Sequence, residues 1–192
     1  TVLLFLISVS FHKSMMLPIA AYLLNWFYSD TKFYLKVWLL SIPVSLVLGG
    51  FWENVFKSIG FFEDDRLNTY FDEADAEVMS QFSNVGFRWD FLLYSLAGIY
   101  AGWYFIIKKG YEDKLYKYIF NTYVIANAFW ILVIRASFSN RFAYLSWFLI
   151  GVVTLYPLLK LKFFNDQHQR VAKIILATFS FTYLMYFLTG AR

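Results

Sequence analysis

Ile134-Arg135-Ala136-Ser137-Phe138-Ser139-Asn140-Arg141-Phe142-Ala143-Tyr144 joins two apolar runs, Tyr118 to Ile134 and Phe142 to Leu159. Each run comes close to the ~20 residues that a helix needs to cross a hydrocarbon core. The turn holds two arginines and no carboxylate. Cations without an acidic neighbour at a membrane boundary invite an anion, and a phosphate group suits the planar fork of arginine. A second boundary, Ser10-Phe11-His12-Lys13-Ser14, carries a titratable imidazole beside a cation. The competing reading makes all of these interfacial anchors, which hold helix ends at the headgroups.

Working outward, the same pattern covers the 192 residues. Apolar segments run from Thr1 to Ser10, Ser14 to Tyr28, Tyr34 to Gly50, Trp89 to Ile107, Tyr118 to Ile134, Phe142 to Leu159 and Val171 to Thr189. The chain is 60% hydrophobic and 23% aromatic with 16% charged residues. Its mean hydropathy is +0.52. That is more apolar surface than a soluble domain of this size can hide, so the expected fold is all-α. It is a polytopic transmembrane bundle of about six full spans plus a truncated first span. Residues 1–192 form a single transmembrane domain in this reading. Because the sequence begins at Thr1 inside an apolar run, the expectation is a fragment of a longer multispan protein. Pro18, Pro43 and Pro157 fall within segments and predict local kinks or breaks. Gly49-Gly50 and Gly60 predict helix ends.

Loop charge predicts the orientation. One set of loops holds Lys32, Lys36, Lys108, Lys109, Lys114, Lys117, Lys160, Lys162, Arg170 and Lys173 against Asp30, Glu112, Asp113 and Asp166. The positive-inside rule makes that set cytoplasmic. His12-Lys13, the loop of residues 51–88 and the Arg135/Arg141 turn then share the extracytoplasmic face. The net charge of +4 is explained by this topology, without nucleic acid as a partner. The 51–88 loop is acidic, and Leu67, Phe71, Ala74, Val78 and Phe82 recur at steps of three and four, the signature of an amphipathic helix. Most of its carboxylates read as a solvated face.

The absence of cysteine removes thiolate chemistry and Cys-based metal sites. His12 and His168 stand far apart without metal-ligand spacing, so no metal and no cofactor is expected. Arg135 and Arg141 can converge on one diphosphate, with Arg88 and Lys13 adding to the field. His12 has the pKa range of a general base at neutral pH. Glu53, Asp64 and Asp65 are the alternatives for that role. Phe11, Trp52, Trp89, Tyr144 and Trp147 are candidates to stack on sugar rings, although a headgroup belt predicts the same residues.

Ser10-Phe11-His12-Lys13-Ser14 before an apolar run, and Ser139-Asn140-Arg141-Phe142-Ala143-Tyr144 later, resemble the EpsG family, which is similar to the Wzy-type O-antigen and exopolysaccharide polymerases. The resemblance implies a multi-pass glycosyltransferase of the bacterial cytoplasmic (inner) membrane. Such an enzyme joins polyprenyl-diphosphate-linked oligosaccharide repeats on the outer face, among membrane lipid and other polysaccharide-assembly proteins. It further implies that Arg141 and Arg135 hold the lipid diphosphate and that His12 lies at the reaction face. The alternatives are a transporter or flippase for a lipid-linked saccharide, and a non-catalytic membrane component of an envelope assembly.

Overall fold

A computed structural model describes residues 2–11, 15–58, 86–135 and 139–189. Among them every regular element is helical: α1 Val2–Phe11, α2 Met16–Phe27, α3 Thr31–Leu48, α4 Phe51–Ser58 and α5 Trp89–Trp103. The last of these runs into a π-helical turn, Tyr104–Lys108, followed by α6 Lys114–Leu132, α7 Ser139–Trp147, α8 Ile150–Lys160 and α9 Gln167–Thr189. The amphipathic helix expected over residues 67–82 lies outside the described residues, as does Gly60.

Helix α6 is the axis of the bundle. Tyr116, Phe120, Tyr123, Val124, Trp130 and Ile131 along it are fully buried. In lipid, apolar side chains gain little from leaving hydrocarbon, so association rests on close packing and on hydrogen bonds between helices. Close packing shows at Gly98 and Gly102 of α5. A Cβ on Gly98 would lie 2.7 Å from the Tyr123 ring, and one on Gly102 only 2.0 Å from Phe120. The same pairs set the direction: as α5 advances from Gly98 to Gly102, its partner on α6 retreats from Tyr123 to Phe120. The two helices are therefore antiparallel. By contrast α3 runs parallel to α6, because Trp38 bonds Asn127 and, farther along both helices, Leu46 bonds Arg135.

Among the described residues three segments are long and apolar enough to cross a membrane: Thr31–Leu48, Trp89–Lys108 and Phe142–Lys160. About six spans were expected from composition. Two of the remaining helices are short. Helix α2 is apolar but has 12 residues, and α1 has 10. Helix α6 is longer, but Lys117, Asn121, Thr122 and Asn127 dilute its apolarity, and in α9, 23 residues long, Lys173 is the only charged residue from Val171 onward.

The starts of α3 and α6 fall earlier than their apolar runs do. Asp30 caps α3 by accepting the Lys32 N–H at 2.9 Å. Asp113 caps α6 by accepting the Tyr116 N–H at 2.8 Å. Each cap satisfies a donor that has no partner inside the helix, which lets the helix begin among polar residues. Gly49 ends α3 at φ 39°, as expected of a glycine in that place.

Two of the prolines do not break their helices, and α3 continues through Pro43. Helix α8 continues through Pro157. Pro157 supplies no N–H for the Val153 carbonyl, but that carbonyl accepts the Tyr116 hydroxyl at 2.8 Å instead. The interruption in this segment comes earlier, at Phe148-Leu149, where the Leu149 N–H bonds the Ser146 carbonyl at 3.0 Å.

Candidate functional site

The parallel course of α3 and α6 brings their C-terminal ends together, and Arg135 closes the gap between them. Its Nη2 donates to the Leu46 carbonyl at 3.3 Å. A Cβ on Gly49 would sit 3.8 Å from its Nη1, so the glycine leaves the guanidinium in ordinary contact with the backbone turn. The Nε is buried and has no hydrogen-bond partner among the described residues. No described carboxylate forms an ion pair with Arg135. A half-buried cation with one carbonyl partner among the described residues retains donors for an anion.

Two further donors near this end have no partner among the described residues. Ser45, beside Leu46, is fully buried with its Oγ unpartnered, and so is the Nε1 of Trp130, on α6 shortly before Arg135. Buried polar atoms are hydrogen-bonded in the great majority of cases. Among the described residues Asn121 Oδ1 and Thr122 Oγ1 in the first half of α6 are unpartnered as well, so what distinguishes the Arg135 end is that its unpartnered donors accompany a cation.

Arg88 opens α5 at this same end, since Phe91 packs on Trp130 with centroids 6.5 Å apart. Its guanidinium is engaged: Nε and Nη2 bond the two carboxylate oxygens of Asp90 at 2.9 and 2.6 Å. Its Cζ also lies 3.7 Å from the centre of the Phe91 ring. Of the other residues singled out from sequence, Arg141 lies on the first turn of α7 and Glu53 on α4, which packs against α3. His12, Lys13, Asp64 and Asp65 lie outside the described residues.

Below the Arg135 end is a polar centre that sequence reasoning missed. Asn127 accepts from Trp38 Nε1 at 2.7 Å and donates to Ser95 Oγ and Ser146 Oγ at 3.0 Å each. Trp147 Nε1 donates to the same Ser95 Oγ at 2.8 Å. The Tyr123 hydroxyl donates to the Ser95 carbonyl at 2.7 Å. One amide therefore ties together α3, α5, α6 and α7. The only signal for it was an asparagine in the middle of an apolar run. Trp147, a candidate for sugar stacking, packs instead among Phe91, Tyr94, Trp130 and Tyr144. Trp89, Tyr144 and Phe11 are exposed.

The family model of the EpsG family matches residues 1–192, the whole chain. The chain belongs to the EpsG family. No curated protein and no solved structure matches it significantly. As a member of the EpsG family with three apolar helices of membrane-crossing length, it is a polysaccharide-related membrane protein. The EpsG resemblance seen in Ser10–Ser14 and Ser139–Tyr144 thus extends over the full length.

A second polar cluster stands at the opposite end, where α6 begins. Asp113 accepts from the hydroxyls of Tyr111 and Tyr156 at 3.4 and 3.3 Å, in addition to its cap bond. The backbone N–H of Tyr116 is the main cause holding the Asp113 carboxyl below the usual carboxylate range. Both Asp113 oxygens are engaged, so this cluster has the character of a structural clasp.

Proposed function

We propose that this protein is a multi-pass polysaccharide polymerase of the bacterial cytoplasmic membrane. It joins polyprenyl-diphosphate-linked oligosaccharide repeats on the extracytoplasmic face. The observation that carries the reading is Arg135: a half-buried guanidinium with a buried, unpartnered Nε and no carboxylate partner among the described residues. Family membership supports the choice of a lipid-linked saccharide over other anions.

In this scheme a hydroxyl oxygen of one lipid-linked repeat attacks the anomeric carbon of the growing chain. The carbon–oxygen bond to the polyprenyl diphosphate breaks, and its electron pair leaves on the diphosphate oxygen. The hydroxyl proton passes to His12, or to Glu53, Asp64 or Asp65. Arg135 and Arg141 neutralise the charge that develops on the departing diphosphate. Removing one such preorganised donor typically costs about 10²–10³ in turnover. Lys13 adds to the same field. Arg88 joins it by exchanging its Asp90 carboxylate for a phosphate oxygen.

The test uses the full-length protein in cells lacking their own copy, with Arg135→Ala, Arg135→Lys and Arg141→Ala compared at equal membrane levels. Loss of long chains, with single lipid-linked repeats accumulating on the outer face, supports polymerisation. Repeats held on the cytoplasmic face point to translocation. Unchanged polymer returns both arginines to the role of anchors.

A further inference from the structure

A groove runs along the bundle from Tyr94 and Trp147 toward the end opposite Arg135, where Phe164 and Arg170 line it. It encloses about 930 Å³ between α5, α8 and α9. Its walls are apolar, with Leu93, Ala97, Ile150, Leu158, Ala177 and Phe181 among them. The hydroxyls of Thr154 and Thr178 also line it, but each donates to a carbonyl of its own helix, Ile150 and Ile174, at 2.8 Å. They ask nothing of an occupant. Along α9 the lining runs from Arg170 to Phe181. At 1.5 Å per residue that is roughly 16 Å, about one leaflet of a bilayer.

One end of this groove is cationic. Tyr104 and Phe164 stack there with centroids 6.3 Å apart. Lys109 Nζ lies 5.7 Å from the Tyr104 ring centre and 5.6 Å from that of Phe164. Lys108 Nζ is 5.7 Å from Tyr104, and Arg170 Cζ is 4.3 Å from Phe164. Lys173 follows Arg170 one turn along α9 and lines the groove beside it. Asp166 takes the Nε of Arg170 at 2.9 Å. Among the described residues no other carboxylate forms an ion pair with these four cations.

We infer that the groove binds an anionic glycerophospholipid of the lysine-rich leaflet. Its acyl chains lie between α5, α8 and α9, and its headgroup phosphate sits among Lys108, Lys109, Arg170 and Lys173. A further helix would cover the apolar wall but leave these cations unbalanced. A phospholipid answers both features. The cationic end of the groove is opposite Arg135, so the headgroup site is separate from the proposed diphosphate site and does not depend on it.

The test is native mass spectrometry of the full-length protein titrated with phosphatidylglycerol or phosphatidylcholine. Phosphatidylglycerol should bind at least tenfold more tightly. Each cation near an anionic headgroup is worth about fivefold in affinity, so Lys109→Gln with Arg170→Gln should bring the two lipids close together. Gly151→Phe should weaken both, because a Cβ at Gly151 meets nothing within 4 Å and the ring has the groove to fill. Equal affinity for the two lipids, or full affinity in Gly151→Phe, would overturn the proposal. So would displacement of phosphatidylglycerol by equimolar polyprenyl phosphate. Thr178→Cys gives a further overturning outcome, as the sequence holds no other cysteine: efficient disulfide formation between two copies would assign the groove to self-association instead.

Discussion

Replacing Asn127 by leucine removes the centre of the bundle while nearly keeping its volume. Three hydrogen bonds are lost: one accepted from Trp38 and two donated to Ser95 and Ser146. Interhelical bonds within membranes average about 0.6 kcal/mol each, so the three together amount to about 2 kcal/mol. The remaining cost depends on what is left behind. Ser95 Oγ keeps the Trp147 N–H, and Ser146 Oγ keeps its own bond to the Ala143 carbonyl at 2.9 Å. Trp38 Nε1 alone becomes an orphan, in a residue only 2% exposed, which adds about 1–3 kcal/mol. The expected total is about 3–5 kcal/mol, measured as the shift in unfolding free energy in lipid nanodiscs or mixed micelles. Trp38→Phe in the Asn127→Leu background should recover the orphan's share. A single variant within about 0.5 kcal/mol of wild type, the range of an inconsequential surface change, would refute the hub.

Two further predictions concern the same bundle. Gly102→Val places its Cβ against the Phe120 ring and should destabilise by about 1–3 kcal/mol, with Phe120→Leu restoring part of the loss in a thermal melt. Asp113 has its carboxyl pKa lowered on folding, so the stability it contributes is fully present above the ordinary value of about 4. That contribution is lost as pH falls through the lower folded value. Asp113→Ala should cost about 1 kcal/mol at pH 7 and less at pH 3, as paired melts of wild type and variant would read.

What the sequence made legible follows from which forces leave a pattern in it. Apolar runs reveal helices, and Gly49 reveals the end of α3, because each depends on local composition or local backbone geometry. The starts of α3 and α6 were set too late, since caps by Asp30 and Asp113 carry helices back into polar residues that look like loop. The break at Phe148-Leu149 hides in an apolar run, while Pro157, which advertises one, is accommodated by a hydroxyl from a distant helix. The Asn127 centre joins residues from four helices and has no local period at all. At the candidate site, Arg135 was visible as a cation without a local acid. The orphaned Ser45 and Trp130 were not, because burial without a partner is a property of the packed bundle.

The central claim is that Arg135 stabilises a departing lipid diphosphate during polymerisation. The most direct measurement supplies purified full-length protein with a lipid-linked repeat and follows chain growth together with release of polyprenyl diphosphate. Wild type should yield both in step, and Arg135→Ala should retain fold and substrate binding while its turnover falls by about 10²–10³. Turnover in Arg135→Ala within twofold of wild type would contradict the claim.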